Sequence, residues 1–212
     1  MAIYPLDRIA KDVRIALDRN KTSNALTDLG DVDTLSLEDI IKSKIIEAVK
    51  RVHSEAPVYL LDGGNDFSSE LYWRGDNSGW MLLPDDFMRL VVFEMSDWER
   101  VVFRAIGTDD PEYAMQRSRF KGIRGTAQKP VCAVSIRPEG RVLEFYSCKS
   151  EEAEVVRAVY LPYPKIDENG GVAICGKCYE SVIYMAAALV LTALGETDKS
   201  QLFIELSKQS LI

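Results

Sequence analysis

The chain has 212 residues, 47% hydrophobic and 28% charged, an ordinary balance for a soluble globular protein with material for one good core. Its net charge of −7 and pI near 4.9 argue against tight wrapping of nucleic acid, because an acidic surface repels phosphate. Such a surface still suits a wall past which DNA slides without sticking. The first nineteen residues, Met1 to Arg19, are charged throughout and have no apolar core, so a secretory leader is not expected and the four cysteines should be reduced. The apolar run Val182 to Leu194 is shorter than the roughly 20 residues a bilayer span needs, which predicts a helix buried within protein.

In chain order, residues 5 to 19 read as a helix. Pro5 suits the first turn, and Leu6, Ile9, Val13, Ala16 and Leu17 form one stripe. Residues 20 to 35 are polar and read as a loop. Ser36 then opens a second helix as its cap, paired with Asp39, and the helix stops before Pro57. Beyond Pro57 the texture becomes β, beginning with the short apolar run Val58 to Leu61. Gly75-Asp76-Asn77-Ser78 separates Leu71–Arg74 from Gly79–Leu83 and predicts a hairpin. Pro84 to Phe87 reads as one helical turn. Leu90 to Met95 and Trp98 to Ile106 follow as two strands, or as one strand with a bulge. Asp110-Pro111 begins a short helix over 111 to 119. Pro130 to Arg137 and Arg141 to Cys148 form a second predicted hairpin, and Val155 to Leu161 a further strand. A glycine-bearing connection, 165 to 177, leads into the long helix Cys178 to Gly195. A last amphipathic helix starts at Asp198, with Asp198 and Gln201 as reciprocal caps. These elements predict an α+β fold in a single domain, 1 to 212. N-terminal helices (1 to 56) and C-terminal helices (165 to 212) pack around a central antiparallel β-rich region (57 to 164).

Few residues carry chemistry. Cys175-Gly176-Lys177-Cys178 has the spacing of half a zinc site, and Cys132 and Cys148 are the available partners for a four-thiolate set. The same pair at a helix start would have a lowered thiol pKa and suit redox work, although the usual βαβ setting is absent. The bland reading is a tight helix start made of small residues. His53 is the single histidine and reads as an exposed helix-end residue. Asp85-Asp86 and Asp109-Asp110 are paired carboxylates beside helical turns, which capping explains without general acid–base chemistry. Asp28, Asp31 and Asp33 lack the spacing of a calcium loop. No nucleophile turn, Walker motif or dinucleotide glycine pattern is present, so no catalytic residue is assigned. The one basic patch is Arg117, Arg119, Lys121, Arg124 and Lys129 around Gly122 and Gly125. On an acidic chain it makes an asymmetric surface that suits ordered head-to-tail contact between proteins.

The order of segments resembles the head–tail connector, or adaptor, proteins of tailed bacteriophages. These include the tail tubular protein A group and the ring proteins below the portal in crAss-like phages. The resemblance runs through Leu83-Pro84-Asp85-Asp86-Phe87-Met88-Arg89-Leu90, the Trp98 segment, and Tyr113-Ala114-Met115-Gln116 before a basic glycine-bearing loop. It continues through Pro130-Val131-Cys132-Ala133, Leu143-Glu144-Phe145-Tyr146, Tyr160-Leu161-Pro162-Tyr163-Pro164 and the alanine-rich closing helix. It implies a structural virion subunit without cofactor or membrane, assembled in the bacterial host cytoplasm into a ring, commonly of about twelve copies. The implied neighbours are the portal protein and the tail or next ring protein, with DNA passing through the channel unbound. The Cys175/Cys178 pair departs from that pattern and keeps open the alternative of a small zinc-binding or thiol-redox bacterial protein.

Overall fold

The computed structural model describes residues 1–17, 36–118, 120 and 122–212 and is of mixed α+β class with antiparallel sheets, as predicted. The elements are β1 (Ala2–Pro5), α1 (Leu6–Leu17), α2 (Leu37–Glu55), β2 (Asn65–Asp66), β3 (Tyr72–Trp73), β4 (Gly79–Leu82), β5 (Phe87–Met95), α3 (Pro111–Met115), β6 (Val131–Arg137), β7 (Gly140–Tyr146), β8 (Val155–Pro162), β9 (Gly171–Ile174), α4 (Tyr179–Ala193) and α5 (Thr197–Gln209). They fall into two units. Met1–Gly63 and Pro164–Ile212 form one, and Gly64–Tyr163 forms the other. The predicted loop over 20 to 35, with its three aspartates, lies outside the described residues.

In the first unit, α4 is apolar on nearly every side and packs against α1, α2 and α5. Ala186, Ala187 and Ala188 are buried and let neighbouring backbones approach, while Ile9, Val13, Ile41, Ile45 and Val49 fill the space from α1 and α2. Ile9 and Val13 of the α1 stripe read from the sequence are buried, and Leu6, Ala16 and Leu17 are half-buried. Ser36 caps α2 by accepting from the Asp39 N–H (3.2 Å), and its hydroxyl donates to the Asp39 carboxylate (2.5 Å).

The α4–α5 seam departs from expectation. The fully buried residues of α5 are the serines Ser200 and Ser207, whereas Leu202 and Leu206 are 61% and 41% exposed. Ser181 and Ser207 exchange hydroxyl-to-carbonyl bonds, each 2.9 Å, and Ser200 and Thr192 both donate to the Ala188 carbonyl at 2.9 Å. Polar pairs therefore knit this seam of a helix that reads as amphipathic. The Asp198–Gln201 cap also does not form, since Glu196 occupies the cap position without a side-chain bond.

Two strands escape the sequence reading. β1 pairs antiparallel with β9, inside what reads as a helix start and a loop. Pro5 closes that strand and the helix begins at Leu6. Gly171 leaves room here for Ile3, since a Cβ would sit 2.5 Å from Ile3 Cγ2 and oblige that exposed side chain to shift. Conversely, Val58–Leu60 is a short 3-10 turn rather than a strand.

The second unit holds two sheets, β2-β8-β5 and β3-β4-β7-β6. Both predicted hairpins form, with Gly75 (φ 78°) and Asn77 (φ 61°) supplying the left-handed backbone of the β3–β4 turn. One face of the larger sheet, carrying Met81, Leu143 and Phe145, joins Phe93, Leu90 and Trp98 in a core. Phe145 stacks against Phe93 and meets Trp73 edge-on. Residues 98 to 106 make only isolated bridges, Phe93↔Val102 and Ile106↔Ala133, in place of a regular strand. Pro84 to Phe87 is a turn closed by the Phe87 N–H on the Pro84 carbonyl (3.0 Å), and α3 ends at Met115.

Replacing the fully buried Phe145 with alanine leaves a cavity in this core and should cost about 3–5 kcal/mol. All three tryptophans lie in this unit, so a urea titration followed by tryptophan fluorescence reads the loss directly. An unchanged midpoint would contradict the packing described.

Candidate functional site

The opposite face of the β3-β4-β7-β6 sheet is polar at its centre. The register places Glu144 of β7 opposite Trp80 of β4 and Ala133 of β6, with Tyr146, Ser135 and Arg137 on the same face. Glu144 is 3% exposed, yet it is fully partnered. Its carboxylate accepts from Ser135 Oγ (2.9 Å), Tyr146 Oη, Tyr113 Oη (3.3 Å), Arg74 (2.7 Å) and Arg137 (3.1 Å). Burial pushes its pKa up, but the hydrogen bonds from Tyr146 and Ser135 and the two guanidinium groups outweigh it and hold Glu144 below its ordinary value. The arginines are themselves seated on aromatic faces. Arg74 lies over Tyr146 and Arg137 lies 4.7 Å from the centroid of Trp80, which stacks on Tyr72. Two guanidinium charges surround one carboxylate, so the cluster carries a net positive charge.

The basic loop rises from this cluster and is held at its base by two side chains, Gln116 and Arg124. Gln116, itself buried, donates to the Glu112 carbonyl and accepts the Gly125 N–H at 2.7 Å. Arg124 reaches the β3–β4 turn, bonding the Asp76 carboxylate at 2.9 Å and the Asp76 carbonyl at 2.7 Å. Burial raises the Asp76 pKa, and the bonds from Ser78 and Arg124 reverse this and hold it low. Gly125 must be glycine, because a Cβ would lie 2.9 Å from the Tyr146 carbonyl and 3.2 Å from Val131.

The five basic residues named from the sequence therefore separate. Arg124 is an anchor, its side chain only 12% exposed, because Asp76 takes it. Arg117 and Lys129 are exposed, Arg117 stacked over Tyr113 of α3. Arg119 and Lys121 lie outside the described residues. Hydropathy adds what the charge pattern misses: Phe120 and Ile123 are 74% and 53% exposed between the basic residues. The loop thus presents aromatic, aliphatic and cationic groups together over a fixed base.

The cysteine constellation comes apart. Cys132 and Cys148 belong to the second unit and Cys175 and Cys178 to the first. Among the described residues no group of three or more His, Cys, Asp or Glu side chains is placed to hold a metal ion. All four cysteines are buried and none is in a disulfide, and the Cys178 thiol donates to the Leu60 carbonyl. Burial, reinforced by Cys178 and Asp62, pushes Cys175 up to about 12, the reverse of the lowered pKa expected at a helix start. Burial and Asp97 likewise push Cys148 up to about 12, and burial raises Cys132. The segment serves as a joint. Its main-chain N–H groups go to His53 Nε2 (from Cys175, 3.2 Å), to the Asp62 carboxylate (from Gly176, 3.0 Å) and to the Cys175 carbonyl (from Cys178, 2.8 Å). His53 is consequently buried, not exposed, and a ring that accepts through Nε2 carries its proton on Nδ1.

Of the paired acids, Asp110 caps α3 as expected, accepting from the Glu112 N–H at 2.9 Å. Asp86 instead accepts the Tyr160 hydroxyl at 2.6 Å. No helix among the described residues is long and apolar enough to cross a membrane. The chain matches no family model and no curated protein.

Two outcomes check this geometry. Replacing Glu144 with alanine strands two partly covered arginines and should destabilise the protein by about 3 kcal/mol in denaturant titration. A depressed carboxyl pKa contributes stability that is complete above the unfolded value near 4.5 and is lost as pH falls through the lower folded value. The Glu144→Gln protein should therefore show a shallower loss of stability below pH 4.5 than the parent. The thiols give the second check: none of the four should react with iodoacetamide at neutral pH until denaturant is added.

Proposed function

We propose that this chain is a non-enzymatic virion subunit of the head–tail connector type, forming a ring between portal and tail through which DNA passes. The observation that carries the reading is the 116 to 130 loop. It holds five basic and no acidic side chains in a chain of net charge −7, and presents Phe120 and Ile123 outward from a base clamped by Gln116 and Arg124. Exposed aromatic and basic groups on a braced support are what a protein-contact surface needs.

Leu202 and Leu206 on α5 add a second apolar face in the other unit. Two unlike faces on one chain are the requirement for a heterologous contact, which closes into a ring when the rotation permits. The order of segments resembles connector proteins over most of the chain, and the acidic balance suits a channel wall that does not grip DNA. The neighbours are then the portal on one side and the tail or next ring protein on the other, with the finished ring residing in the virion neck. The alternative of zinc or thiol-redox chemistry is disfavoured by the burial of all four thiols and by the division of the cysteines between the two units.

The test is assembly on the portal protein of the same phage, read by native mass spectrometry and negative-stain electron microscopy. The parent should add a ring to the portal. The combined Arg117→Ala, Phe120→Ala and Lys129→Ala protein should fold and lose at least about tenfold in docking, because truncating central aromatic and basic contacts costs most in an interface. A parent that never docks on the portal sinks the reading.

A further inference from the structure

A groove of about 310 Å³ runs between α1 and α4 of the first unit, lined by Asp12 and Ile15 on one side and by Tyr179, Glu180, Ile183 and Tyr184 on the other. Among the described residues its lining holds two carboxylates and no basic side chain. The Tyr179 hydroxyl donates to Asp12 Oδ2 at 2.7 Å, and the Tyr184 hydroxyl donates to Glu180 Oε1 at 2.9 Å. These bonds hold both rings as walls and set the two carboxylates at the rim. Arg8 stacks over Tyr179 from outside the lining, and Ile15 is 57% exposed. The groove is thus apolar at its walls and acidic at its edge.

The exposed loop described above has the opposite character. Phe120 and Ile123 are its apolar groups, and Arg117 and Lys129 its exposed cations. Resting on the ring reading, we infer that the loop of one copy seats in the α1–α4 groove of the next, with Phe120 between Tyr179 and Ile183 and with Arg117 and Lys129 facing Asp12 and Glu180. Charge complementarity selects this occupant. Exposed cations of the loop meet a rim that carries carboxylates, so the pairing is attractive in one register and repulsive when like faces meet. The two faces lie on different units of the chain and are unlike each other, so the contact is head-to-tail and repeats from copy to copy. The volume is at the lower end of ligand-sized clefts, enough for a single aromatic side chain.

The experiment places the photo-reactive residue p-benzoylphenylalanine at position 120 in the full chain. Isotopically heavy and light copies are mixed at the highest soluble concentration, illuminated and mapped by mass spectrometry. The expected result is a heavy–light cross-link from position 120 to α1 near Ile15 or to α4 between Tyr179 and Tyr184. In that background Glu180→Lys should lower the cross-link yield roughly tenfold, and adding Lys129→Glu should restore it, as expected for a charge pair across an interface. Cross-links confined to one copy, cross-links to any other surface, or no cross-link at all would each overturn the groove assignment. Docking on the portal is scored separately. A chain that docks there but cross-links elsewhere loses this contact and keeps the connector reading, whereas failure to dock removes that reading wherever position 120 reacts.

Discussion

One constraint organises the first unit: α4 is apolar on nearly every side and must be covered over most of its surface. Val182, Ile183, Met185 and Leu191 point in different directions around the helix and are all buried, and burial of such side chains is worth about 1.5–3 kcal/mol each. Neither α5 nor the short segment before α4 can cover the helix alone. The N-terminal helices α1 and α2 therefore return to it across more than a hundred residues of intervening chain, and the two ends of the sequence become one unit. The β1–β9 ribbon is a consequence, since it ties Ala2–Pro5 to the strand that leads into α4.

The second unit depends on a different balance. Its sheet has one apolar face and one face centred on a buried carboxylate, and Glu144 is tolerable there only because five groups satisfy it. A buried charge of this kind adds little net stability compared with an apolar core, but losing Glu144 itself leaves two partly covered guanidinium groups without their carboxylate. Tyr113 links the network to α3, and Gln116 at the end of that helix holds Gly125. The network thus fixes where the basic loop begins and ends. That is the connection from a core carboxylate to the surface on which the functional proposal rests.

Much of the fold is legible in the sequence, for local reasons. Ser36 and Asp110 cap helices because their side chains reach N–H groups two or three residues on, whatever the rest of the chain does. Gly75 and Asn77 turn the first hairpin because they accept a left-handed backbone. The misses share one cause, which is that the partner lies far away along the chain. β1 and β9 are four-residue strands that pair across more than 160 residues, and neither has enough alternation to announce itself. His53 looks like a helix-end residue until Cys175 donates to it from 122 positions away. The leucines of α5 have the periodicity of a packed face, yet serines make the seam because Ser181 and Ala188 of α4 offer hydroxyl and carbonyl partners at that spot. At the candidate surface the basic cluster is visible in the sequence, while the division of labour within it is not. Arg124 becomes an anchor through Asp76, 48 residues away, and only folding leaves Phe120 and Ile123 outside.

By itself the sequence determined the class of the fold, the extents of its long helices and its hairpins, the acidic balance and the single basic loop. These follow from periodicity, caps, turn residues and charge, all properties of short stretches. Tertiary structure alone decided that the chain ends share one unit, that the four cysteines are divided and buried, that Glu144 holds the polar face together, and which residues of the basic loop face outward. Each of these depends on which distant segments meet, and burial, unlike periodicity, is a property of the partner as much as of the residue.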